Sequence, residues 1–175
     1  MNDSGSAAAS ESPIRVGVAG LGYWGPNLAR NFAALAGCEL RWLCDPSEPS
    51  RARAAQQFPG ARVTGELQEL LEDPELDAVV LATPVPSHAE LAVRVAKAGK
   101  HCFVEKPLAT TAADAEAAVA AAAHAGKLLM VGHLLEYHPA VDRLRELLAA
   151  GELGELYYVY GNRLNLGKLR ADENA

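Results

Sequence analysis

From residue 14 onward, short apolar runs of strand length alternate with longer stretches in which apolar residues recur every three or four positions. IRVGVAG (14–20) predicts a strand, and PNLARNFAALAG (26–37) predicts a helix with Pro26 in its first turn and Gly37 at its end. CELRWLCD (38–45) predicts a second strand, and a helix follows over 50–58. DAVVLAT (77–83) is apolar throughout, the mark of a strand buried on both faces. SHAELAVRVAKAG (87–99) predicts a helix closed by Gly99, and HCFVEKP (101–107) a strand. TTAADAEAAVAAAAHAG (110–126) predicts an Ala-rich helix with a Thr cap, and KLLMVGH (127–133) another strand. Strands alternating with helices imply an α/β fold, a doubly wound parallel sheet covered on both faces. In such sheets ligands sit beyond the carboxyl ends of the strands, so the residues just after each strand are the place to look for chemistry.

The pattern changes after His133. A helix is expected over 139–150, and LYYVYGNRLNL (156–166) reads as a long aromatic strand unlike the short runs before it. A lone strand is not stable, so it reads as the first strand of a second domain that this chain carries only in part. The opening MNDSGSAAASESP is rich in Ser and Ala and lacks both a basic start and an apolar core, which predicts a disordered tail rather than a signal peptide. The expected organisation is therefore a tail over 1–13, a nucleotide-binding domain over 14–135, and the incomplete beginning of a second domain over 136–175.

Composition narrows the function classes. Half of the 175 residues are hydrophobic and 22% are charged, enough apolar surface for a core. The formal net charge is -6 and Lys and Arg do not cluster, which argues against a nucleic-acid partner. No apolar run approaches a membrane span. Cys38, Cys44 and Cys102 are odd in number, form no CxxC and lie in or beside predicted strands. They read as buried, reduced thiols of a cytoplasmic protein, and no metal site is expected.

The first strand leads into Gly20-Leu21-Gly22-Tyr23-Trp24-Gly25, a GxGxxG that opens a helix. The first glycine permits the tight turn, the second lets the backbone approach a pyrophosphate, and the third lets helix and strand pack closely. The helix start adds unpaired N–H groups and a positive dipole end. Asp45 follows Gly25 by 20 residues and ends the second strand, where a carboxylate accepts hydrogen bonds from an adenosine ribose and repels a 2′-phosphate. The expected cofactor is NAD; Arg51 and Arg53, close behind Asp45, weaken the exclusion of NADP. Tyr23 and Trp24 read either as aromatics that pack the loop or as cofactor contacts.

Two other strand ends carry candidate residues. Thr83 and Pro84 end the apolar strand, Ser87 is placed to cap the next helix, and His88 sits in that helix's first turn. The dipole there disfavours an imidazolium, so His88 is expected neutral and facing the cleft. Glu105, Lys106 and Pro107 end the next strand. One reading is a solvated ion pair, worth little. The other is that Pro107 ends the strand pairing and directs Lys106 over the cleft, where its ammonium can hydrogen-bond a hydroxyl as it becomes a carbonyl.

GxGxxG at 20–25, Ala82-Thr83-Pro84 with His88, and Glu105-Lys106-Pro107 together resemble the Gfo/Idh/MocA oxidoreductases, over roughly Ile14 to the C-terminus. The resemblance implies a Rossmann domain followed by a second α/β domain, whose open sheet makes a homo-oligomer contact. It implies oxidation of a secondary alcohol of a sugar with hydride transfer to NAD, Lys106 contacting the reacting hydroxyl and Glu105 beside it. It also implies a Lys106–Pro107 bond that is often cis, and cofactor contacts from the Thr83, Pro84 and His88 motif. Tyr137-His138-Pro139 and the RLNLG stretch from Arg163 to Gly167 are similar to UDP-N-acetylglucosaminuronate 3-dehydrogenases of surface-polysaccharide biosynthesis. This narrower resemblance makes Tyr137, His138, Arg163 and Asn165 candidate substrate or cofactor contacts, with His133 near the domain junction. The family's second catalytic element, an Asp/His pair, is expected downstream of DENA, so the resemblance bears more directly on cofactor binding than on turnover. The alternatives are an NAD-binding module without turnover, and an inositol or other sugar dehydrogenase of the same family.

Overall fold

Each apolar run beyond residue 13 that is short enough for a strand forms one, up to residue 131. The computed structural model describes residues 12–162 and 164. β1 (Ile14–Ala19), β2 (Cys38–Cys44), β3 (Arg62–Thr64), β4 (Ala78–Leu81), β5 (His101–Val104) and β6 (Leu129–Val131) form one parallel sheet in the order β3-β2-β1-β4-β5-β6. The helices α1 (Gly25–Ala34), α2 (Glu48–Gln57), α3 (Leu67–Glu72), α4 (His88–Lys97) and α5 (Ala112–His124) alternate with the strands. This is the doubly wound Rossmann sheet that the pattern predicts. Strand order reverses between β1 and β4, which opens a crevice at their carboxyl ends.

The two-residue period of a strand divides the core between the two faces of the sheet. Val79 and Leu81 of β4 join Trp42, Cys44, Leu70, Val95 and Val104 in one apolar cluster. Val80, between them in sequence, joins Val16, Val18, Leu43 and Ala29 in the other. The Ala-rich α5 contributes Ala118 and Ala122 to the buried set, and Thr111 caps it by accepting from the Asp114 N–H at 3.2 Å. Cys44 and Cys102 are buried and Cys38 half-buried, all three as free thiols. Burial pushes the Cys44 thiol up to about 11 and the Cys102 thiol up to about 12, so both stay protonated and unreactive at neutral pH.

Three features depart from the pattern. β3 and α3 fall in the stretch 59–76, to which periodicity assigns nothing; with 3 and 6 residues they are too short to show a period. Ser87 does not cap α4: its hydroxyl donates instead to the Pro84 carbonyl at 2.8 Å. The strand expected over 156–166 is absent among the described residues, where 155–162 carry no regular structure and Tyr157, Tyr158 and Tyr160 are exposed. A strand needs a neighbour to take its N–H and C=O groups, and this segment has none among the described residues.

The boundary between the chain's two compact units falls between His133 and Leu134. In the second, α6 (Pro139–Ala149) is capped by His138, whose Nδ1 accepts the Ala140 N–H at 3.1 Å. Arg145 binds Glu136 and Asp142 on its exposed surface.

The segments that lead into β4 and β5 are fastened by polar contacts, to each other and to the middle of β2. Asp73, in the loop before β4, accepts from Arg41 Nε at 2.8 Å, Trp42 Nε1 at 2.7 Å and the Glu75 amide at 2.9 Å. Lys100, buried just before β5, donates from Nζ to the carbonyls of Asp73 at 2.7 Å and Leu76 at 2.9 Å. Burial alone would push the Asp73 carboxyl up. The hydrogen bonds from Arg41, Trp42 and the Glu75 amide, with the Arg41 charge, outweigh it and hold Asp73 well below the ordinary aspartate value. A depressed folded-state value means that this contribution is complete above the unfolded value, about 4, and is lost as pH falls below it. Asp73→Asn is therefore expected to lower stability by about 2 kcal/mol at neutral pH. In denaturant titrations the gap between variant and wild type should close as pH drops below about 4; a gap independent of pH would refute the ionic origin.

Candidate cofactor and active site

The turn from β1 into α1 is set by two close backbone approaches. Gly20 has φ +94°, and a Cβ there would lie 2.5 Å from the Ala82 carbonyl carbon and oxygen, at the end of β4. A Cβ on Gly25 would lie 1.8 Å from the Gly20 carbonyl oxygen. Neither position admits a side chain unless the backbone moves. Gly22 differs, because a Cβ there would meet nothing within 4 Å. The loop thus packs through its outer glycines and leaves open space over its middle one. The start of α1 beyond it has no side-chain cap and no acidic residue in its first turn. Pro26 brings no N–H and the Asn27 and Leu28 amides donate to the Trp24 carbonyl, so it is the positive end of the helix dipole with the Gly25 amide, beside an open glycine, that fits the pyrophosphate of a dinucleotide.

Asp45, at the end of β2, is nearly buried. Its Oδ2 accepts the Leu21 N–H at 2.6 Å and its Oδ1 the Ser47 N–H at 2.8 Å. The carboxylate therefore ties the glycine loop to β2, and each oxygen keeps a lone pair for a further donor such as a ribose hydroxyl. Arg51 points its Nη1 at the carbonyls of Asp45, at 2.9 Å, and Pro46, at 2.7 Å, and Arg53 donates to the Ser50 hydroxyl. Tyr23 and Trp24 lie on the loop surface with ring centroids 6.5 Å apart, 64% and 40% exposed, so neither is packed into the core.

β4 and β5 supply the rest of the rim. The Thr83 and Ser87 hydroxyls lie 2.8 Å apart. Lys106 is exposed, and its bond to Pro107 is cis. Glu105 and Lys106 make no side-chain ion pair among the described residues. Instead Glu105 Oε2 accepts the Lys106 backbone N–H at 3.2 Å. Its Oε1 is buried with no hydrogen-bond partner among the described residues. A Cβ on Gly132 would lie 3.3 Å from that oxygen and 3.2 Å from Phe103 Cζ, so the bare Gly132 backbone makes the niche in which the carboxylate sits. A buried carboxylate oxygen without a donor is costly.

His88 requires a correction. It does not face the cleft: its ring is 1% exposed, and both nitrogens are engaged by backbone carbonyls, so it has no atom free for a cofactor. Its position in the first turn of α4 was legible; its partners lie in loops that only folding brings together.

The structure thus brings Gly20, Gly22, Tyr23, Trp24, Gly25, Asp45, Thr83, Pro84, Glu105 and Lys106 to the carboxyl-end edge of one sheet. Tyr137 and His138 belong to the second unit, where His138 serves as a helix cap. Arg163 and Asn165 lie outside the described residues. Gly132 and the Leu21 amide are contributors that the motifs do not mark. No group of three or more His, Cys, Asp or Glu that could hold a metal occurs among the described residues, and none of their helices is long and apolar enough to cross a membrane.

A family model described as an oxidoreductase family with an NAD-binding Rossmann fold (Gfo/Idh/MocA) matches residues 14–133. Scyllo-inositol 2-dehydrogenase (NAD(+)) of Bacillus subtilis is 31% identical over 152 residues, covering 86% of this chain and 44% of that protein. Among solved structures, GenD2 from gentamicin A biosynthesis, in complex with NAD, is 36% identical with a TM-score of 0.77, covering 83% of this chain and 41% of that one. The WlbA dehydrogenase of Bordetella pertussis, in complex with NADH and UDP-GlcNAcA, is 31% identical with a TM-score of 0.79, covering 84% and 42%. The chain spans less than half the length of these relatives.

The glycines separate packing from binding experimentally. Gly22→Ala is expected to leave the melting temperature unchanged and to raise the Kd for NAD at least about tenfold, a loss of about 1.4 kcal/mol. Gly25→Ala should lower both stability and affinity. A Gly22→Ala variant that binds NAD like the wild type in calorimetry would show that the cofactor does not approach this part of the loop.

Proposed function

The chain belongs to the Gfo/Idh/MocA oxidoreductase family and takes NAD as its cofactor, and from that premise we propose that it is the NAD-binding part of a dehydrogenase that oxidises a secondary hydroxyl of a sugar. The observation that carries the reading is Lys106. It is an exposed ammonium at the carboxyl end of β5, two strands from the glycine loop's own strand. In this reading Gly20, Gly22 and Gly25 with the start of α1 hold the pyrophosphate. Asp45 takes the adenosine ribose, while Tyr23, Trp24, Thr83 and Pro84 line the dinucleotide.

Oxidising a secondary alcohol removes a hydride from carbon and a proton from oxygen. NAD, when bound, supplies the hydride acceptor. Lys106 donates a hydrogen bond to the hydroxyl oxygen and stabilises the negative charge that grows there as the proton passes to a general base, the role expected of the family's downstream Asp/His pair. Its exposure lets it reach a substrate, and the Pro107 ring behind it keeps its backbone out of the strand ladder.

The substrate we propose is a nucleotide sugar, UDP-N-acetylglucosaminuronate oxidised at C3, with Tyr137, His138, Arg163 and Asn165 as its contacts. The similarity to WlbA, solved with UDP-GlcNAcA, supports this reading. Similarity to inositol dehydrogenases supports a second reading, with a cyclitol in place of the sugar nucleotide.

A protein extended through the second domain, given NAD and either UDP-N-acetylglucosaminuronate or myo-inositol, tests the choice by the appearance of NADH absorbance. Turnover of the sugar nucleotide is expected. Turnover of inositol alone selects the second reading, and turnover of neither by a protein that binds NAD overturns both. In the active protein Lys106→Ala should lower kcat by about a hundredfold or more while leaving the Kd for NAD within about twofold. Equal losses in both would make the lysine structural.

A further inference from the structure

His88 is the least exposed polar side chain among the described residues, and both its ring nitrogens meet backbone from other segments. Nε2 lies 2.7 Å from the carbonyl oxygen of Thr83, just past the end of β4. Nδ1 lies 2.7 Å from the carbonyl oxygen of Pro107, just past the end of β5. Carbonyl oxygens only accept, so a hydrogen bond at either contact needs an N–H on the ring, and a neutral ring has one to give. In a dry interior such a bond is strong, and a carbonyl left without its donor costs about 1–3 kcal/mol.

The bridge has a firm footing. α4, which His88 opens, buries Ala92, Val95 and Ala96 against the sheet. The same helix start holds the β4 segment a second time, through the Ser87 hydroxyl on Thr83 Oγ1 and the Pro84 carbonyl. The Lys106 side chain, by contrast, is exposed and makes no hydrogen bond or ion pair of its own among the described residues, so only its backbone fixes its place. That backbone is held on one side by the Glu105 amide, which donates to the Leu81 carbonyl at 2.9 Å. On the other side the nearest tie is the Pro107 carbonyl on His88.

We propose that His88 is a positioning residue: by donating from Nδ1 to the Pro107 carbonyl while its other ring nitrogen rests against the Thr83 carbonyl, it sets the backbone of Lys106 and hence the reach of its ammonium over the crevice. The inference rests on the role given to Lys106 above. His88 touches neither cofactor nor substrate and acts through Pro107.

Three variants in the extended, active protein separate this from packing. His88→Asn puts an amide donor near the place of Nδ1 and keeps the Pro107 tie. His88→Gln puts one near the place of Nε2 and keeps only the Thr83 tie. His88→Leu keeps neither. The expected result is kcat within about fivefold of wild type for Asn and a loss of about a hundredfold for Gln and Leu, the size of effect that a misplacement of about 1 Å produces, with the KM for NAD little changed. Equal losses in all three, or losses that follow the drop in melting temperature, overturn the proposal. A second measurement needs no turnover. In the 175-residue chain, proton NMR with 15N-labelled histidine should show a His88 ring N–H protected from exchange, and His88→Leu should speed deuterium exchange at the Lys106 amide. A freely exchanging ring, or an unchanged Lys106 amide, overturns the bridge even if the substrate assignment stands. A protected ring in a protein that oxidises no sugar would count against the substrate and leave the bridge intact.

Discussion

The site depends on a steric constraint: the backbone at Gly20 and Gly25 comes so near to Ala82 and to itself that no Cβ fits. This approach puts the start of α1 beside the end of β4, at the point where strand order reverses. The Asp45 carboxylate holds the same turn from the other side through the Leu21 amide. The open space over Gly22 exists because its neighbours are packed this tightly. A wider turn would move the helix N-terminus away from the crevice and with it the donors that a pyrophosphate needs.

Much of this site could be read from order alone. A GxGxxG between strand and helix, an acidic residue at the next strand end and EKP at a later one are local signals, and each occupies the kind of position its pattern implies. What could not be read depended on contacts across the sheet. His88 looked like a cleft residue because it sits in the first turn of a helix that follows a strand end, where the dipole favours a neutral ring facing the cleft; its real partners are 5 and 19 residues away, on two different loops. Glu105 looked like half of an ion pair with Lys106, yet its carboxylate turns toward Gly132, in a segment whose sequence carries no chemical motif. β3 escaped notice because three residues show no period, and its place is fixed only by pairing with β2. The aromatic stretch after Leu156 failed in the opposite sense: its composition suits a strand, but composition supplies no hydrogen-bond partner.

Stability and chemistry occupy opposite edges of the sheet. The carboxyl-end edge carries the open glycine and the exposed lysine, groups placed for a ligand rather than for one another, and a buried carboxylate oxygen that has no hydrogen-bond partner among the described residues. The amino ends of β4 and β5 carry Asp73 and Lys100, bonded to loop carbonyls and to Arg41 in the middle of β2. Unsatisfied polar groups at a functional rim destabilise a fold, and a closed polar network at the far edge is where compensation does not interfere with binding.

The chain has two tryptophans, and the fold sorts them the same way. Trp42 is nearly buried, bonded to Asp73 and covered by the Arg62 guanidinium 5.3 Å from its ring. Trp24 stands 40% exposed on the glycine loop. The two indoles therefore sit in unlike environments, one dry and ionic, the other wet and next to the crevice. Intrinsic fluorescence of this protein is a two-channel signal without any label: the blue-shifted part follows the integrity of the sheet, and the red-shifted part follows what happens at the loop.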